Sequence, residues 1–278
     1  MLVPPPKVTL DLTTHLPIQD PVLEPFPSWE MQEVGNCDKL QYTQSMEIDN
    51  NGLMWIIDTG RIGIFTGSPD NTCPPKLVII DTETGETVDS YVFPDSVAPY
   101  DSVFLNDIVV DNTRNIAIIT DMTGVVDGKK GGLIVFNRTT RSAARFYDET
   151  MDPELGLSWN FQGRDLGEDA FAQPVNAVTL TPDATRLLYG PLQGLSVYSV
   201  LTDKLFTNAA DWKDSIVDHG DWQGSTDGMT VCPSLFMCQS FLLTPCQPYL
   251  TAHSYCIYFS ACLDIYRWTV QEQFTIVT

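Results

Sequence analysis

Residues Gln44–Gly60 read QSMEIDNNGLMWIIDTG. An apolar-alternating strand runs into Asp49-Asn50-Asn51-Gly52, and a second apolar strand follows and stops at Asp58. The turn chemistry and the period of two make this a β-hairpin. The same plan returns as LNDIVVDNTRNIAIITD (Leu105–Asp121) and VNAVTLTPDATRLLYG (Val175–Gly190), and a fourth copy opens as STDGMTV (Ser225–Val231). The aligned starts Gln44, Asn106, Asn176 and Asp227 lie 62, 70 and 51 residues apart.

Each hairpin is followed by a second one: PKLVIIDTETGETVDSYVF (Pro75–Phe93), GGLIVFNRTTRSAARF (Gly131–Phe146) and QGLSVYSVLTDKLF (Gln193–Phe206). Each of these reads as a strand, a polar turn and a more polar strand, so each repeat supplies four strands. Four-stranded units at this spacing predict an all-β fold of the β-propeller type. A β-sandwich with accidentally similar hairpins is the competing architecture. About four units fit in the chain, the last one damaged, so an incomplete propeller forming a single domain over residues 1–278 is expected.

The chain has 278 residues, 43% hydrophobic and only 18% charged, which excludes a disordered chain. Its net charge of -21 repels phosphate backbones and anionic lipid, so nucleic acid and membrane surfaces are set aside as partners. A polar or cationic small molecule is the better electrostatic match. No apolar run approaches the roughly 20 residues of a spanning helix. The opening MLVPPPKVTLDLTTHLP lacks the basic and apolar regions of a signal peptide. Asn137-Arg138-Thr139, on an expected turn, is a glycosylation sequon and points outside the cell.

Residues 1–36 are Pro-rich, with one expected strand at Lys7–Leu12. Pro25–Glu30 (PFPSWE) reads as an extended segment with aromatic anchors laid over a sheet edge or between blades. Cys37 precedes the first repeat and Cys73 its third strand, both in loops of one blade. A bridge there is sterically reasonable and would add roughly 3–4 kcal/mol by loop entropy. Two free thiols in a reducing compartment are the alternative.

PFPSWEMQEVGNCDKLQ, IDNNGLMWIIDTG, CPPKLVIIDTETGETV, LNDIVVD with IITD, and LLYGPLQGLSVYSV together resemble, in order and spacing, the yellow and major royal jelly protein family over about residues 20–231. The resemblance implies a secreted six-bladed β-propeller with a disulfide of the Cys37–Cys73 type. It also implies one of several functions, among them dopachrome conversion, binding of biogenic amines, and nutritive or structural roles. Two departures stand out. The chain starts late, without the family's signal peptide, and the match collapses after Val231. Residues 232–262 hold five of the seven cysteines with no glycine, acid or base, and are read as an atypical Cys-rich insert of intron read-through type. Cys232, Cys238, Cys246, Cys256 and Cys262 lack the close thiol pairs of a structural zinc site. His15, His219 and His253 form no cluster in sequence.

In a propeller the innermost strand of each blade points one end at the central channel. Gln44, Asn106 with Asp107, Asn176, and Asp227 are therefore expected to form a channel-mouth site for a polar or cationic ligand. Backbone capping where the strands begin is the plainer role for the same residues. NAVTLTPD and STDGMTV also resemble inner-strand phrases of the regucalcin and gluconolactonase propellers. That resemblance implies Asn176 and Asp227 as ligands of Ca²⁺ or another divalent cation, with Asn106 a substrate-side amide. Gln44 stands where that family has a Glu, which removes charge from the cage. Trp159-Asn160-Phe161, in the insertion Asp148–Gln173, is expected to be a lid or a disordered loop. The expected function is a secreted channel binder of an amine- or catechol-type ligand with no cofactor. A dopachrome-type isomerase and a divalent-metal lactonase are the enzymatic alternatives.

Overall fold

The computed structural model describes residues 2–3, 24–66, 68–123, 130–161, 164–170, 172–221, 226–231 and 237–241. The chain divides into two compact units, Met1–Tyr147 and Asp148–Thr278. In the first unit β1 (Leu2–Val3) pairs with β2 (Glu24–Pro25), and two four-stranded sheets follow. One sheet is β3 (Thr43–Ile48), β4 (Leu53–Asp58), β5 (Lys76–Asp81) and β6 (Thr87–Val92). The other is β7 (Leu105–Asp111), β8 (Ile116–Asp121), β9 (Gly132–Asn137) and β10 (Ser142–Phe146). Neighbours in sequence are neighbours in each sheet and all are antiparallel, the meander of a propeller blade.

The second unit opens with a hairpin, β11 (Ser158–Phe161) and β12 (Arg164–Glu168). A third meander follows: β13 (Val175–Leu180), β14 (Arg186–Pro191), β15 (Ser196–Leu201) and β16 (Val217–Asp221). Then β17 (Thr226–Val231) pairs with β18 (Met237–Phe241). The fold is all-β and built of propeller-type blades. The expected strand at Lys7–Leu12, four of the five cysteines of 232–262 and the side chain of Cys238 lie outside the described residues.

β4 and β5 read as apolar runs because both of their faces are covered. Trp55, Ile57, Leu77 and Ile79 pack against Ile108, Val110, Ala117, Ile119, Ile134 and Phe136 of the next blade. Met54, Ile56, Val78 and Ile80 pack instead under Met31, Leu40 and Phe26 of the entering chain. Burying each of these large side chains contributes about 1.5–3 kcal/mol. Among the expected aromatic anchors Phe26 packs in this way, whereas Trp29 is 70% exposed. The first hairpin turn is closed by Asp49, whose carboxylate accepts from Asn51 N, Leu53 N and the indole Nε1 of Trp55. Cys37 and Cys73 are joined in a disulfide with Cα atoms 5.0 Å apart.

Two expectations are corrected. Residues 202–206 are not the fourth strand of the third blade. They form a short helix, α1 (Thr202–Phe206), and the fourth strand comes later, at β16. Leu201 and Leu205 are spaced by four, a helical interval, and Leu205 is buried. Nor is the 148–173 insertion a free loop around Trp159. Trp159 lies on β11, 5% exposed, and its Nε1 donates to Gln193 Oε1 at 2.7 Å.

Candidate functional site

Each inner strand breaks its ladder register at its polar start: between Thr43 and Met46, between Leu105 and Ile108, between Val175 and Ala177, and between Thr226 and Gly228. A bulge leaves a residue out of the ladder and re-aims its side chain. The bulged residues include Gln44, Asn106, Asp107, Asn176 and Asp227. The repeat thus carries one irregularity four times at one place.

In the first unit β3 lies beside β7, and residues one repeat apart meet. Ser45 Oγ donates to Asp107 Oδ1 at 3.0 Å, and Asn50 N donates to Asn112 Oδ1 at 2.7 Å, both 62 residues apart. Asp107 Oδ1 also accepts from Ile108 N, and Asp107 N donates to Thr120 Oγ1. Gln44 is exposed, and Asn106 is half-buried beside Asp107. Glu47, also half-buried on β3, has its carboxyl pushed up to about 7, by burial first and by the Asp107 charge second. Sequence reading missed Glu47. Its signal was there: the equivalent inner-strand positions are Val109 and Thr179, neither of them ionisable.

In the second unit β13 and β17 repeat the contact. Asn176 Nδ2 donates to Asp227 Oδ1 at 3.1 Å, 51 residues apart. Asn176 is 2% exposed, and burial raises the Asp227 carboxyl despite the opposing Asn176 hydrogen bond. The structure therefore brings together Ser45 with Asp107, and Asn176 with Asp227. Among the described residues no group of three or more His, Cys, Asp or Glu is arranged to hold a metal ion. At the two residues expected as metal ligands, the amide points its Nδ2 donor at the carboxylate.

The sequence matches the family described as "Major royal jelly protein" over residues 43–237. The chain belongs to that family. Major royal jelly protein 1 of Apis mellifera is 25% identical over 193 residues, covering 68% of this chain and 43% of that protein. Protein yellow of Drosophila madeirensis is 27% identical over 204 residues, covering 68% of this chain and 33% of that protein. The chain thus spans less than half the length of these royal jelly and yellow relatives. A gluconolactonase from Xanthomonas campestris superposes with a TM-score of 0.42 at 12% identity, covering 73% of this chain and 57% of that one.

For this royal jelly family member the sequon falls on a built turn. Asn137 ends β9, its Oδ1 accepts from Thr140 N at 3.0 Å, and Thr139 and Thr140 are exposed. Among the described residues no helix is long and apolar enough to cross a membrane.

Proposed function

We propose that the bulged starts of the inner strands bind a small polar or cationic ligand, of biogenic-amine or catechol type. One observation carries this reading: the same bulge recurs at Gln44, Asn106–Asp107, Asn176 and Asp227, and turns carboxylates and amides out of the ladder. A net charge of -21 favours a cation over an anion as the occupant. Glu47 and Asp107 in the first unit supply an acidic pair for an ammonium group, and Ser45 supplies a hydroxyl for a catechol.

The test is thermal melting of the protein with dopamine, with serotonin and with Ca²⁺. A ligand that binds only the native state raises the melting point by RT ln(1 + [L]/Kd), about 2.7 kcal/mol at a hundredfold excess over Kd. An amine shift that Asp107→Asn or Asp227→Asn abolishes supports the reading. No amine shift in the parent protein sinks it.

Isomerisation is the second reading, and Glu47 is what favours it. A carboxyl titrating near 7 is matched to general-base work at neutral pH, as dopachrome-type proton transfer requires. Turnover of an aminochrome by the parent protein, lost in Glu47→Gln, would replace binding by catalysis. An extracellular setting is proposed with both readings. The Cys37–Cys73 bridge and the Asn137 turn support it, and a glycosidase-sensitive mass shift lost in Asn137→Gln tests it.

A further inference from the structure

Gln193 is fully buried, and every polar group of its side chain is engaged. Its Oε1 accepts from Trp159 Nε1 at 2.7 Å, and its Nε2 donates to Glu154 O at 2.9 Å and to Asp169 Oδ1 at 2.6 Å. One amide thereby grips the chain before β11, the tryptophan on β11 and the aspartate just after β12. Asp169 reinforces the grip by accepting from Gly156 N at 2.8 Å.

The backbone of the same residue faces the other way. Val175 pairs with Pro191, Leu192 N donates to Pro174 O at 2.9 Å, and Gln193 N donates to Gln173 O at 3.2 Å. These bonds continue the β13–β14 ladder past the bulge, so the chain is held firmly just before Asn176. A buried amide with all its bonds made is a stiff joint, because losing any one leaves an unsatisfied polar group.

We propose that Gln193 is the positioning residue of the Asn176–Asp227 end, coupling the docking of the β11–β12 hairpin to the geometry of the bulge that carries Asn176. Hairpin docking and ligand binding then stabilise one another. This rests on the ligand-binding reading given above for Asn176 and Asp227. The structural coupling can be tested without it.

The experiment is amide hydrogen exchange, read peptide by peptide, on the parent protein and on Gln193→Ala, with dopamine-induced melting shifts on the same samples. Exchange in β11 and β12 should rise at least tenfold in Gln193→Ala, and so should exchange at Gln173–Ala177. Exchange in β4 and β8 should not change, and the dopamine shift should fall. Asp169→Ala leaves Gln193 in place and removes one hairpin anchor. It should loosen the same two segments to a lesser degree, and it serves if Gln193→Ala does not fold. Faster exchange in the hairpin alone, with Gln173–Ala177 unchanged, overturns the proposal. If both segments loosen while Asn176→Ala and Asp227→Ala leave the dopamine shift intact, the ligand reading fails and the coupling stands.

Discussion

The first two blades and the third solve one problem differently: how to fix the chain as it enters the inner strand. In the first blade the register partner of the entering residue Thr43 is Asp58, fully buried at the end of β4. Its carboxylate accepts from Gln41 N, Tyr42 N and Gly60 N, each at 2.9 Å, and pairs with the buried Lys76 at 2.8 Å. In the second blade Asp121 opposes Leu105, accepts from Phe104 N and Thr123 N, and pairs with Arg145. In the third blade the same place is held by Pro191, which has neither charge nor amide hydrogen. Gln193, two residues on, takes over with a neutral amide and draws in the β11–β12 hairpin. An ionic anchor is self-contained, whereas the amide anchor depends on a segment that arrives from outside the blade.

The comparison is broken most directly by deleting the anchors. Asp58→Ala leaves the buried Lys76 ammonium with the Lys39 carbonyl oxygen but without its counter-charge, and three amide hydrogens without their acceptor. The expected loss is about 3–5 kcal/mol, read by urea unfolding. Gln193→Ala exposes no charge and should cost about 1–3 kcal/mol. If the two losses are equal, the distinction between ionic and amide anchoring is wrong. The Cys37–Cys73 bridge ties the entering chain of the first blade a second time, across a sequence separation of 36. Cys73→Ser should cost about 3–4 kcal/mol by loop entropy. A loss under about 1 kcal/mol would mean that Asp58 alone holds that segment.

The blades were legible because period-two strands and turns carrying Asp are local signals, and the repeat fixed which polar residues share a place. Asn106, Asp107, Asn176 and Asp227 all fall on the bulges for that reason. What escaped reading was set by contacts distant in sequence. Nothing local says that Gln193 meets Trp159, or that the last strand of the third blade waits until Val217. Glu47 was overlooked because a charged residue in an alternating strand reads as its solvent face. Burial in the folded blade, and second the charge of Asp107, 60 residues away, make its charge costly.

Glu47 is a difference between inner strands that pH can expose. Its folded carboxyl titrates near 7 against an ordinary 4.5, so the folded state holds the proton more tightly than the unfolded one. The contribution to stability is complete below about pH 4.5 and is lost as pH rises through 7. Solvent screening at this half-buried site limits the loss to about 1–2 kcal/mol. Glu47→Gln should therefore match the parent protein at pH 4.5 and exceed its stability at pH 8 by that amount. A constant difference across the range would show that Glu47 does not titrate there.

The smallest expected effect lies in the turns that join each blade's first two strands. Each requires a left-handed residue: Gly52 at φ 77° in the first, Asn115 at φ 56° in the second and Ala184 at φ 53° in the third. Glycine adopts this region freely and asparagine tolerates it, but alanine brings its Cβ against the following carbonyl at a cost of about 1–2 kcal/mol. Ala184 is held there from both sides, its N donating to Thr181 O at 2.7 Å and its O accepting from Thr202 Oγ1 at 2.7 Å. Ala184→Gly relieves the strain and keeps both backbone bonds, although it loosens the unfolded chain. The expected net gain is about 0.5–1 kcal/mol, with Ala184→Asn gaining less. The reverse change, Gly52→Ala, should lose about 1 kcal/mol or more, because the turn around Asp49 imposes the same conformation there. A gain at 184 with no loss at 52 would mean that the first turn can relax to a shape the third cannot reach, and that the third-blade hairpin is the more tightly constrained of the two.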